Sequence, residues 1–113
     1  MQILRKHNTD KATAIKRINA FFDGITRRKF PHSVRVIRPH KEWVDSEHDE
    51  SSECKFSFFA KKGHFITVKV EGNIVVTDDV IIISSEIPGI AGKFVTDDFI
   101  IKYIDDEILR LFA

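Results

Sequence analysis

The chain has 113 residues, 42% of them hydrophobic and 31% charged, and a formal net charge of +1. That length gives a single domain able to bury roughly two thirds of its unfolded surface without staples, and the lone cysteine, Cys54, excludes an intrachain disulfide. The opening MQILRKHNTDKA lacks the apolar core of a signal peptide, and no apolar run approaches the roughly 20 residues that span a bilayer, so a cytoplasmic protein with no membrane span is expected.

Residues 2–7, QILRKH, read as a short edge strand. The cluster Asn8-Thr9-Asp10 supplies N-cap oxygens for a helix over 9–29. On a wheel of 100° per residue, Ala14, Ile15, Ile18, Phe21, Phe22 and Ile25 share one face, with Lys16, Arg17, Arg27 and Arg28 opposite. Phe30-Pro31 ends that helix, because proline pushes the preceding residue out of the α region. A second strand is expected over 33–38. Residues 45–53, DSEHDESSE, carry five acidic side chains and no apolar one, which predicts a solvated, mobile loop. Strand character resumes at 55–60, with Phe56, Phe58 and Ala60 on one face.

Residues 62–88 then read as a compact meander. Ile66, Val68 and Val70 alternate with Thr67, Lys69 and Glu71, and Gly72-Asn73 has the chemistry of a two-residue hairpin turn. Residues 74–76 follow as a strand, Asp78-Asp79 as a second turn, and the run Val80 to Ile83 suits a strand buried on both faces. Pro88-Gly89 closes the segment. A second N-cap cluster, Thr96-Asp97-Asp98, opens an amphipathic helix over 97–112, from which Phe99, Tyr103 and Leu109 stand apart as a candidate partner surface. The expected fold is therefore α+β: a twisted antiparallel sheet of four to six strands, with two amphipathic helices packed on one face of a single domain, residues 1–113.

Charge is unevenly distributed. Residues 1–44 hold eleven Lys and Arg against three Asp and Glu, a balance of +8, whereas residues 45–113 hold seven against fourteen, or −7. Lys16, Arg17, Arg27, Arg28 and Lys29 are the candidate anion surface on the basic side. Solvated helix faces, intramolecular pairing of the two halves, or a homodimer joined by opposite charge are the plainer readings.

No catalytic, cofactor or metal motif stands above background. The five histidines, His7, His32, His40, His48 and His64, form no i,i+4 pair and have no close cysteine. Cys54 has one adjacent cation, Lys55, and reads as a buried or half-buried thiol with no lowered pKa. Adjacent carboxylates at 78–79, 97–98 and 105–106 fit turns and helix positions better than an acid–base pair.

The opening ILRKHN before an amphipathic helix, the stretch FITVKVEGNIVV, and DDVIIISSEIPGIAGKF before a terminal helix ending ILRLF together resemble the polyhydroxyalkanoic acid system family of small bacterial proteins. The resemblance runs over nearly the whole chain, with a longer insertion at about 38–62. It implies the α+β fold and association with polyester storage granules, and it carries over no catalytic residue and no cofactor; a non-enzymatic accessory or interaction domain is the reading that fits best. A small apolar ligand, lipid or acyl, held between sheet and terminal helix is the alternative. Anion or nucleic-acid binding through the basic helix face is a further one, against which stand a pI of 7.9 and no exposed aromatic pair interleaved with basic residues.

Overall fold

The computed structural model describes residues 2–30, 33–45, 51–63, 66–86, 106–107 and 110–112. Five antiparallel strands form one sheet: β1 (Gln2–Lys6), β2 (Val34–Asp45), β3 (Ser52–Lys62), β4 (Ile66–Val76) and β5 (Val80–Glu86), in the order β1-β5-β4-β3-β2. One helix, α1 (Lys11–Gly24), crosses between β1 and β2, so the class is α+β with an antiparallel sheet, as expected.

Helix α1 starts where the N-cap cluster places it. Asp10 accepts from the Thr13 amide at 2.7 Å and from the Thr13 hydroxyl at 2.9 Å. The helix is shorter than its amphipathic pattern: it ends at Gly24, a single 3-10 turn covers Ile25–Arg27, and Arg28 is extended at φ −77°, ψ 145°. Ala14, Ile18, Phe22 and Ile25 are buried against the sheet, with Ile15 and Phe21 at the margin. These are the residues that the wheel groups together.

The largest departure from the sequence reading lies at Gly72-Asn73. No turn forms there, and β4 runs unbroken through both residues, pairing Gly72 with Phe56 on one side and Ser85 on the other. The glycine serves close approach instead. A Cβ at position 72 would lie 2.4 Å from the Ser84 carbonyl oxygen and 2.7 Å from the Phe56 ring. Phe56 thus lies flat across β4 and meets Phe22 of α1 at 5.5 Å between ring centroids, with Phe58 stacked beside it at 6.1 Å. The true turn is the second candidate: the Thr77 hydroxyl accepts from the amides of Asp79 and Val80 at 3.2 and 3.0 Å.

Other boundaries also move outward. β2 extends past the expected end at residue 38 because a bulge between Ile37 and His40 absorbs Arg38-Pro39, after which pairing resumes from His40 opposite Ser57. Proline is tolerated there because β2 is an edge strand. Trp43 Nε1 donates to Asn19 Oδ1 at 2.7 Å, tying this second half of β2 to α1. The expected acidic loop at 45–53 is shortened by strand at both ends: Asp45 belongs to β2, and Ser52 and Glu53 to β3, with Ser52 buried. Residues 46–50 lie outside the described residues. β5 is buried mainly on its inner face, where Ile81 sits, while Val80 and Ile82 are half-exposed on the outer one.

His7 closes the other end of the sheet. It is fully buried, and its Nδ1 accepts from the Thr9 amide at 3.2 Å, so Nε2 carries the proton and donates to the Thr77 carbonyl at 2.8 Å. Its own amide donates to the Asp79 carbonyl at 3.1 Å. The end of β1 is thereby pinned to the β4–β5 turn.

Most of the expected helix over 97–112, including its N-cap cluster, lies outside the described residues; residues 106–107 and 110–112 are helical.

Gly72→Ala should lower stability by about 3 kcal/mol, the upper range for overpacking, since one clash is with backbone. Urea unfolding followed by far-UV circular dichroism measures it, and an unchanged midpoint would refute the close-approach account. Asp10 yields a pH test. The Thr13 amide and then the Thr13 hydroxyl lower its carboxyl below its ordinary value. A lowered folded value stabilises above the unfolded value and is lost as pH falls through the folded one. The Tm advantage of wild type over Asp10→Asn should hold above pH of about 4 and fall away progressively as pH drops further, through the lowered folded value.

A basic end of the sheet as candidate site

Residues 24–41 and 54–70 contain no Asp or Glu, yet they hold ten of the 18 Lys and Arg in the chain. Strand pairing brings these two segments together. Arg35 of β2 stands directly opposite Lys61 of β3, and Val34 opposite Lys62. Like charges in direct cross-strand register oppose folding. Among the described residues, neither Arg35 nor Lys61 has a carboxylate partner.

Beside this pair, the chain leaving α1 forms an open concavity of about 720 Å³, walled by residues 26–30 and 33–35, with Gly63 at its rim. Arg27, Arg28, Lys29 and Arg35 contribute to its lining, together with Phe30. Two left-handed residues shape its mouth: Ser33 at φ 59° and Gly63 at φ 61°. The outer face of the sheet continues the charge, with Arg38 held over the Phe59 ring at 6.0 Å and Lys69 in register with Phe59.

The five cations of the candidate anion surface separate into two groups. Lys16, Arg27 and Lys29 are exposed. Arg17 and Arg28 are instead engaged within the molecule: Arg17 Nη1 donates to the Leu111 carbonyl at 3.1 Å and its guanidinium lies 5.8 Å from the Phe112 ring. Arg28 pairs with the buried carboxylate of Glu107 and stacks on Phe21 at 4.8 Å. Arg110 reaches the other oxygen of Glu107 at 3.1 Å. Lys16 and Arg17 lie on α1, away from the concavity, so the structure gathers Arg27, Arg28 and Lys29 with Arg35 and leaves the first two apart. The candidate partner surface of Phe99, Tyr103 and Leu109 lies outside the described residues.

Cys54 is fully buried, and burial pushes its thiol above the ordinary value, with the Lys41 charge opposing in part. Among the described residues no three His, Cys, Asp or Glu side chains lie where they could hold a metal ion together, and no helix is long and apolar enough to cross a membrane. His40 is exposed on β2, and His32, His48 and His64 lie outside the described residues.

Arg35, Lys61, Arg38 and Lys69 are the functional candidates that helix periodicity does not reveal. The signal was present in the sequence as two acid-free stretches, but only β2–β3–β4 pairing makes them neighbours. No protein-family model, curated protein or solved structure matches the chain. The resemblance to the polyhydroxyalkanoic acid system family therefore stands on its quoted segments alone.

Arg28→Ala should destabilise the protein by roughly 1–2 kcal/mol, because it leaves the buried Glu107 with Arg110 as its remaining cation. A double-mutant cycle with Glu107→Ala, read by urea unfolding, should return a coupling of about 1 kcal/mol; strict additivity would remove the ion pair from the account.

Proposed function

We propose that the chain is a non-enzymatic interaction domain that receives an anionic partner at the basic end of its sheet. The observation that carries this reading is the Arg35–Lys61 opposition, with which no described acidic residue pairs, placed beside the exposed Arg27 and Lys29 of the concavity. A sequence selected for stability alone would place opposite charges across such a pair. An external anion supplies the missing counter-charge, and the near-neutral whole-chain charge does not oppose this, because the acidic residues belong to other segments.

The contacts of Arg17, Arg28 and His7 with Leu111, Glu107 and Phe112 favour a second amphipathic helix on the same sheet face as α1. With that arrangement, no described helix covers the outer face of the sheet. A cytoplasmic setting suits the single buried thiol. Granule association remains with the family resemblance; no residue of the basic end speaks for it.

Arg35→Glu separates function from stability. Placing a carboxylate opposite Lys61 should raise stability by about 0.5 kcal/mol while weakening binding to heparin, used as a base-free polyanion. Thermal unfolding and heparin-affinity elution in a salt gradient measure the two effects. Earlier elution with an equal or higher Tm is expected; unchanged elution would count against the site, and wild type that fails to bind at low salt would end the proposal.

A further inference from the structure

Resting on that reading, we infer that the anionic partner is a single-stranded nucleic acid, laid across the outer face of the sheet with a base stacked on Phe59. Strand alternation turns Phe59 away from Phe56 and Phe58, and so away from α1. It is half-buried, flanked in register by Ile37 and Lys69, with the Arg38 guanidinium 6.0 Å from its ring centroid. The row two residues along holds Arg35, Lys61 and Thr67. One aromatic face is thus bordered by four cations, of which Lys69 also reaches Glu71 at 2.8 Å.

Cations along a track with an aromatic face between them match a single strand, whose phosphates need charge and whose unstacked bases accept any flat apolar partner. A duplex shows its bases only in grooves that admit a protruding helix or ribbon. Here the surface is a sheet whose helix packs on the reverse side, which suits splayed bases.

The backbone supplies a second, independent observation. Arg38 adopts φ 51° and precedes Pro39. Left-handed φ is uncommon outside glycine and asparagine, and a following proline disfavours it further. Glycine would occupy this bulge without strain. The position instead carries a guanidinium that reaches over Phe59.

Fluorescence anisotropy with a labelled pyrimidine strand of about 12 nucleotides tests the inference, with the matching duplex and heparin as competitors. Phe59→Ala should weaken single-strand binding by about tenfold and leave heparin binding unchanged, while Phe59→Trp restores it. Arg38→Gly should weaken single-strand binding without lowering Tm, which distinguishes a contact residue from a structural one. If Phe59→Ala changes neither ligand, or both alike, the partner is an anion without stacked bases; the nucleic-acid inference falls and the basic-end reading stands. If the duplex competes as well as the single strand, the inference also falls. If neither the strand nor heparin binds wild type, both fall.

Discussion

The missing side chain at Gly72 is the constraint on which the rest of the architecture depends. With no Cβ there, the Phe56 ring lies against the backbone of β4 and presents its far side to Phe22. That contact seats α1 across β3 and β4, and the seat of α1 decides where the chain emerges after Gly24. The 3-10 turn and the extended Arg28 then carry Arg27 to Phe30 to the start of β2, beside the β3–β4 end of the sheet. Packing in the core thus sets the position of surface charge some distance away.

Two kinds of force act differently at the two ends of the sheet. At the His7 end the polar groups are internally satisfied: both ring nitrogens have partners, and the Thr77 turn holds its own amides. At the Arg35–Lys61 end, cation faces cation across a strand pair, and a bulge holds an arginine in a left-handed conformation. Local choices that disagree with the fold are expected where a sequence is constrained by something besides folding. The contrast between the ends is what the proposed anionic partner would account for.

The apolar face of α1, its N-cap, the Thr77 turn and the antiparallel class could all be read from residue order, because each depends on neighbours within a few positions. The Gly72-Asn73 pair misleads for the opposite reason. Its local chemistry is that of a turn, and what overrides it is Phe56, sixteen residues earlier in sequence and directly across the ladder. The extension of β2 through Pro39 is hidden similarly, since only an edge position and a bulge make proline acceptable. His7 looked like one scattered histidine among five; its burial depends on a turn seventy residues away. The helix wheel located Arg17, Arg27 and Arg28, but it could not separate arginines that hold the terminal helical residues from cations that face outward.

The interrupted ladder of β2 also governs how copies of this chain can meet. An exposed strand edge is a template on which another chain can add a strand. Here one edge, β1, offers five residues, and the other is divided by the Arg38-Pro39 bulge into two short runs, with a proline that has no amide to donate. An incoming strand finds no long, regular row of backbone groups on either side. The device that aims Arg38 at Phe59 therefore also caps the sheet against edge-to-edge growth, so the feature that exposes a charged aromatic platform keeps that platform from polymerising.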